Sequence, residues 1–488
     1  MLRGIIFILI SSFLLLSCGV KRPVVTSTVP YPQENKPEVQ VVKQRTYDLP
    51  LEFRKVLKKR SADLAYPDLV YKFYESKGFQ PVLVPRFLPH NQLDILLGYL
   101  SNAGKHGLDT GLFAPGQIRN LLNKMGKANI DTVVENHRNL SALEIAVASS
   151  LINYSITLQF GIVVPEKVYP LYSTLTAMPD SSSILKVFEI RDLKNYLDSI
   201  QPKDRLYLAL QKSLSMMQGT TEPDSLQTLL VNLERLRWKN RPAQDKFVSV
   251  NIPNFSLDVI SKGKSVLHMK VCVGEPEGWQ TPQLGSMIHS VQVNPVWNIP
   301  QSIARDETSQ EAARDRYYLA NSNIKVYHKG KLITHTESID WASVDVSEYT
   351  FQQQPGSENA LGKIKFLFQN ESSVYLHDTP VKSAFRKEIR AVSHGCVRVE
   401  KPLELTYVLF GKGEQFDQIK KAMQRGYPAA KFIALPEQVP IILGYYTAWL
   451  DDKGKLRFSK DIYGLDQLLY EAMMKINAGN IAALIHQI

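Results

Sequence analysis

Cysteine is scarce in this chain: three residues in 488, at Cys18, Cys272 and Cys396. At most one bridge, Cys272 to Cys396, is available if Cys18 is otherwise engaged, so no disulfide framework holds the fold. Dense Lys/Arg runs are also absent. A formal charge of +11 suits anionic partners, but no segment reads as a nucleic-acid arm, so nucleic acid is not expected as a partner. No internal repeat stands out, and no apolar run beyond the N-terminus reads as a membrane span. Close cysteine pairs and the H-E-x-x-H pattern of metal sites are missing as well. What remains is an ordinary soluble composition, 44% hydrophobic and 22% charged, long enough for two or three domains.

The N-terminus carries an export signal. Arg3 precedes an apolar run from Ile5 to Leu16 that is too short to span a bilayer and has the size of a signal-peptide core. It ends at Leu15-Leu16-Ser17-Cys18-Gly19, which resembles a bacterial lipobox, with Cys18 as the acylated first mature residue. The expectation is a lipoprotein-type leader over 1–17 and a periplasmic chain anchored to the membrane through lipid. The alternative is an ordinary secretory signal. Residues 18–45, rich in Pro, Val, Thr and Gln, read as a flexible tether.

From about 46 to 245 the pattern is helical. Leu93, Leu96, Leu97 and Leu100 keep the spacing of one helix face. Ser141 followed by Glu144 reads as a capping box ahead of an apolar run. Gly219 to Asp224 reads as a break before a helix through Asn232 to Trp238. Near Phe247 the period shortens. Phe247–Val250, Phe255–Ile260, Val266–Val273, Ile324–His328, Ile364–Phe368, Val374–His377 and Val397–Val399 read as strands, with Lys262-Gly263-Lys264 as a tight turn. Pro402 opens a helix whose apolar face draws on Leu403, Tyr407, Leu409 and Phe410. Residues 303–362 are polar and turn-rich and read as an insertion or lid within a domain spanning 246–410. In the C-terminal segment, 411–488, Ile441–Leu450 reads as a strand, Asp452-Lys453-Gly454 as a turn and Leu465–Ile476 as a helix. The fold class is therefore α+β, a β-rich domain clasped by a mainly helical one.

Val392-Ser393-His394-Gly395-Cys396-Val397-Arg398-Val399 holds the candidate chemistry, with Tyr375-Leu376-His377-Asp378-Thr379-Pro380 nineteen residues before the cysteine. A thiol attacks as its thiolate, and an imidazole within hydrogen-bond reach can take the proton. A glycine beside the cysteine lets a carbonyl approach the backbone, whose N–H groups can hold an oxyanion. Taken alone, the same residues fit a buried thiol beside core histidines. A zinc site from His377, His394 and Cys396 would need a fourth ligand that no nearby spacing supplies. Cys272, in Val271-Cys272-Val273, reads as a buried small hydrophobe.

The stretch from Ser393 to Arg398 resembles the signature of the L,D-transpeptidase (YkuD-type) catalytic domain. Asn294 to Pro300, Pro355 to Gly362, Val374 to Pro380, Asn232 to Trp238 and Tyr446 to Trp449 resemble, in order, the large YcbB-like subfamily. The resemblance implies Cys396 as nucleophile, His377 as its base, and Gly395 with the Cys396 amide at an oxyanion hole, to which Tyr375 adds its hydroxyl. Ser393, His394, Arg398, Trp297 and Asn359 then fall around the substrate. Arg398 would hold a carboxylate or orient the cysteine loop, with a structural ion pair as the alternative. Asn359 would order a loop and Trp297 would line the core or the cleft wall. The implied activity joins peptidoglycan stem peptides by 3→3 cross-links without metal or cofactor, and is blocked by carbapenem-type inhibitors. Two alternatives stay open: an L,D-carboxypeptidase or other hydrolase on the same scaffold, and a non-catalytic wall-binding lipoprotein. Relatives often carry a small wall-binding module before Asn232, and here only a short stretch is left for it.

Overall fold

Leu93, Leu96, Leu97 and Leu100 are all buried on one side of the helix Gln92–Ser101, as their spacing requires. The computed structural model describes residues 48–126, 133–217, 223–425 and 429–476. The expected leader 1–17, the tether 18–45 with Cys18, and residues 219–222 of the expected break lie outside the described residues. Up to Arg237 the described chain is helical apart from a two-residue strand β1, Tyr172–Ser173.

The 28-residue helix Val133–Phe160 runs through the middle of the helical part. By length and composition it could cross a membrane, contrary to the sequence expectation, yet most of its apolar stretch is buried inside the protein. The expected capping box fails here. Ser141 lies within this helix and bonds back to the His137 carbonyl at 2.7 Å. Glu144 is fully buried and accepts from the Tyr74 hydroxyl at 2.7 Å and from the backbone N–H groups of Val82, Leu83 and Val84 at 2.7, 2.8 and 2.6 Å. It caps the start of a different helix, Leu83–Phe87, whose first amides lack intrahelical partners.

After Asp245 the chain turns to strands: β2 (Lys246–Asn251), β3 (Ser256–Ser261), β4 (Lys264–Gly274) and β5 (Gln283–Val293). Lys262 and Gly263 both have positive φ, 51° and 74°, and make the two-residue hairpin between β3 and β4. An inserted four-stranded sheet follows, in the order β6 (Trp297–Ile299), β9 (Tyr349–Gln353), β7 (Ile324–His328), β8 (Lys331–Ile333). The main sheet resumes with β10 (Ile364–Phe368), β11 (Leu376–His377), β12 (Ala391–Ser393), β13 (Val397–Val399) and β14 (Lys431–Gly444). β15 (Ala448–Leu450) and β16 (Leu456–Phe458) form a small hairpin.

The main sheet closes on itself in the order β5-β10-β11-β13-β4-β3-β2-β14, with β14 pairing back to β5. Closure leaves no open edge among these strands. β5 and the first half of β14 were not legible as strands. β5 alternates irregularly, and Pro436 with Glu437 breaks the apolar run of β14 at a bulge between Ala434 and Val439. Only Leu376 and His377 of the expected strand Val374–His377 are strand residues. In the helix Pro402–Phe410, Tyr407 is exposed while Leu405, Thr406 and Leu409 are buried. The expected insertion is a folded unit with its own core of Ile299, Ile303, Leu319, Val326, Trp341 and Phe351.

The C-terminal segment is locked to the helical part by buried polar groups. Arg235 pairs with Asp466, and Thr447 bonds both Asp466 and Asn232, each at 2.7 Å. Glu234 accepts from the N–H groups of Ile162 and Val163 and pairs with Arg237. The Asn232–Trp238 and Tyr446–Trp449 motifs are thus two halves of one joint.

Candidate active site

Sheet register assembles the site. On β11, Leu376 faces Phe366 of β10 on one side and Val397 of β13 on the other, and all three are buried in the core. His377 faces Lys365 and Arg398, and Arg398 faces Cys272 of β4. Because side chains alternate along a strand, Lys365, His377, Arg398 and Cys272 share the other face. One step of two residues further along, Tyr375 and Cys396 point the same way, joined through the Val397 N–H bond to the Tyr375 carbonyl at 3.1 Å.

The chain reaches Cys396 through a sharp bend. β12 runs parallel to the end of β4 and β13 antiparallel to it, so residues 394–396 must loop between two directions on one strand. Gly395 has φ +98°, which only glycine adopts without strain. Two hydroxyls hold the bend. Ser393 Oγ donates to the Cys396 carbonyl at 2.6 Å. Thr281, 2% exposed, donates to the Gly395 carbonyl at 2.8 Å and accepts from the Gly274 N–H at 2.9 Å. Tyr463 fixes this second contact by donating to the Gly274 carbonyl at 2.7 Å and accepting from the Thr281 N–H at 3.2 Å. In a trans peptide the N–H opposes the C=O. Pinning the Gly395 carbonyl therefore aims the Cys396 N–H away from Thr281.

His377 is buried, and its Nδ1 lies 2.5 Å from the Asp378 carbonyl oxygen. A carbonyl only accepts, so Nδ1 carries the proton and Nε2 is left as the basic atom. Burial, with the Arg398 charge next in weight, pulls His377 down to about 3. The ring is neutral at neutral pH. Cys396 is half-buried, and burial pushes its thiol up, opposed by the hydroxyl and backbone N–H of Tyr375 and by the charges of Lys365 and Arg398. Burial holds the Tyr375 phenol well above its ordinary range, with Cys396 next in weight and Trp297 pulling the other way. The groups facing the sulfur are thus Tyr375, Lys365 and Arg398. Among the described residues no hydrogen bond joins His377 to Cys396, against the expectation of a direct pair. The reason is register: His377 pairs with Arg398, and its ring stands 5.7 Å from that of Tyr375.

The remaining expected residues divide. Trp297 joins the site through Tyr375. Ser393 and Asn359 do not offer polar groups to a substrate. The Ser393 side chain is buried on the Cys396 carbonyl. Asn359, 1% exposed, donates to the carbonyls of Pro295, Gln353 and Gln354 and accepts from the Leu361 N–H. It closes the loop where the insertion rejoins the sheet. His394 turns from the sulfur to bond Glu307 of the insertion and sets its ring edge-on to Trp279 at 4.8 Å. The zinc candidates His377, His394 and Cys396 therefore do not converge, and the described residues hold no group of three ligands. Cys272 and Cys396 are both free, so the disulfide alternative is not formed, and Cys272 is buried as expected. The structural ion pair weighed for Arg398 is also not found among the described residues.

Lys365 and Thr281 were missed in the sequence. Lys365 is half-buried on β10 with its ammonium 5.2 Å from the Tyr375 ring centre. Neither residue belongs to a local motif, and only strand pairing brings them to the cysteine.

The model of the L,D-transpeptidase catalytic domain, YkuD, matches residues 245–409, and that of the Scaffold domain matches residues 68–214. A Haemophilus influenzae protein provisionally designated an L,D-transpeptidase is 30% identical over 285 residues, 58% of this chain. The chain spans 57% of the length of that relative. Among solved structures, an L,D-transpeptidase from Mycobacterium smegmatis is 13% identical with a TM-score of 0.21, over 41% of this chain and 58% of that one. The Ldtfm-avibactam carbamoyl enzyme is 10% identical with a TM-score of 0.19, over 41% and 49%. The chain has an L,D-transpeptidase catalytic domain of the YkuD family at residues 245–409, preceded by a Scaffold domain.

Proposed function

We propose that this protein is a peptidoglycan L,D-transpeptidase that forms 3→3 cross-links through an acyl-enzyme on Cys396. The observation that carries the reading is the shared face of β11 and β13, which gathers Cys396, Tyr375, His377 and Arg398 inside the matched catalytic domain.

In the first half-reaction the Cys396 sulfur bonds to the carbonyl carbon of the third stem residue, and the C–N bond to the terminal residue breaks. The thiol proton passes to His377 Nε2, which must close on the sulfur as substrate binds because no hydrogen bond among the described residues joins the two at rest, and from there to the leaving amine. In the second half-reaction a side-chain amine of another stem attacks the thioester. A new C–N bond forms, the C–S bond breaks, and the amine proton returns through His377 to the sulfur. The Cys396 N–H, aimed by Thr281, stabilises the oxyanion of both tetrahedral intermediates. The low basicity of His377 fits a neutral thiol–imidazole resting state, with the proton moving only as the sulfur attacks. Carbapenems would trap the same acyl-enzyme. Export and lipid attachment at Cys18 would place the enzyme in the periplasm, tethered to a membrane.

Intact-mass analysis of the soluble chain with a carbapenem tests the nucleophile. One adduct in the wild type and none in Cys396→Ala is expected. No adduct in folded, reduced wild type would refute the reading and favour a non-catalytic wall-binding role. Product analysis with stem tetrapeptides separates cross-linking from hydrolysis: cross-linked dimer supports the proposal, and tripeptide alone would establish the carboxypeptidase.

A further inference from the structure

Lys365, His377 and Arg398 lie abreast on three adjacent strands, so two cationic side chains flank the imidazole, and burial pulls the Lys365 ammonium below its ordinary range. With strands about 4.8 Å apart, the two backbone positions are about 10 Å apart, a span that two long side chains can close over a small anion. Both cations are half-buried. Among the described residues no carboxylate pairs with either one. The nearby acids are committed elsewhere: Asp378 to Lys382 at 2.5 Å and the Lys363 N–H at 2.9 Å, Glu307 to His394, and Glu400 to the Lys270 N–H at 3.1 Å. A partly desolvated ammonium is unfavourable unless paired. The contact of Lys365 with the Tyr375 face at 5.2 Å offsets only part of that.

We propose that Lys365 and Arg398 form an anion subsite that holds the terminal carboxylate of the residue released from the donor peptide. This rests on the transpeptidase reading and adds to it a requirement on the substrate. In a peptide cut at its last bond, the terminal carboxylate carbon is three bonds from the carbonyl carbon under attack, hence within about 4 Å of it. A carbonyl in contact with Cys396 therefore places that carboxylate among the groups bordering the sulfur. The charges of Lys365 and Arg398 both act on the sulfur, so a carboxylate placed beside that sulfur lies within reach of both. Lys365 acts here as a specificity residue for a free C-terminus.

The test uses two donors, a stem tetrapeptide with a free terminal carboxylate and the same peptide as its terminal carboxamide. Acylation of Cys396 is followed by intact mass at sub-saturating donor. The wild type is expected to react about 10–100-fold faster with the carboxylate, the range of one charge-assisted contact. Lys365→Met should lose that factor on the carboxylate donor, while slowing the carboxamide donor and neutral iodoacetamide alike by only the smaller amount that removing its charge from beside the thiol costs, so the carboxylate-to-carboxamide ratio is the readout. Lys365→Arg should restore most of the preference. Equal rates with both donors in the wild type would overturn the subsite alone, independently of any variant. So would a Lys365→Met variant that slows both donors and alkylation equally, which would make Lys365 a thiolate stabiliser and nothing more. Failure of both donors to acylate the wild type would overturn the transpeptidase reading and the subsite with it.

Discussion

Thr281→Val is the sharpest perturbation of the cysteine bend. It replaces a buried hydroxyl by a methyl of nearly the same shape and removes two hydrogen bonds, one to the Gly395 carbonyl at 2.8 Å and one from the Gly274 N–H at 2.9 Å. Each orphaned buried group costs about 1–3 kcal/mol, so the catalytic domain should lose roughly 2–6 kcal/mol, read as a lower urea midpoint. The functional effect is separate. The Gly395 carbonyl and the Cys396 N–H belong to one peptide plane, and without its anchor that plane can rotate and misdirect the oxyanion donor. Loss of one such donor typically lowers kcat by about 10²–10³. The assay is single-turnover acylation of Cys396 by a carbapenem or a tetrapeptide donor. A fall of about 100-fold is expected, while alkylation by iodoacetamide, which forms no oxyanion, stays within about twofold. Thr281→Ser keeps both bonds and should retain most of the rate. A Thr281→Val enzyme that loses the expected stability but acylates at the wild-type rate would refute the peptide-plane argument and leave Thr281 a purely structural residue.

Three further predictions follow from buried groups. The alkylation rate of Cys396 should climb with pH without a plateau at pH 5–7, because burial raises the thiol and holds His377 at about 3; a plateau there would reveal a thiolate–imidazolium pair and contradict the neutral resting state. His106 is 7% exposed and pulled down to about 4, chiefly by burial and then by Arg237. Its folded value lies below the unfolded one, so its stabilising effect is present above pH 6.5 and lost as pH falls toward 4, about 2 kcal/mol between pH 7 and 5. Urea midpoints at the two pH values should show this difference, and His106→Gln should reduce it. Glu144→Ala would strand the Tyr74 hydroxyl and three backbone amides in the core. At about 1–3 kcal/mol each, that loss should prevent stable folding, whereas Glu144→Gln should yield a destabilised but folded chain by circular dichroism.

The sequence was legible where its signal is local. The leucine spacing of Gln92–Ser101, the Lys262-Gly263 turn, the strands Ile324–His328, Ile364–Phe368 and Val397–Val399, and the helix start at Pro402 all stand where expected. It misled where a local pattern serves a distant partner. Ser141 and Glu144 have the spacing of a cap, but the carboxylate caps amides about sixty residues away. It was silent on β5 and the start of β14, whose pairing depends on ring closure rather than on their own alternation.

The sequence alone determined the residue types of the site and their order: a thiol after a glycine that must take positive φ, a histidine and tyrosine on an earlier strand, and an arginine two residues past the thiol. Which of these groups meet was decided by tertiary structure. The parallel register of β11 and β13 sets Tyr375 rather than His377 against the sulfur. The antiparallel register of β10 brings Lys365 beside His377, and the turn after β4 brings Thr281 under Gly395. Strand pairing joins residues far apart in the chain, and a shift of one position would send every one of these side chains to the opposite face. No local spacing encodes that choice. It is fixed by burial of Phe366, Leu376 and Val397 in the core, which leaves the reactive groups on the other side.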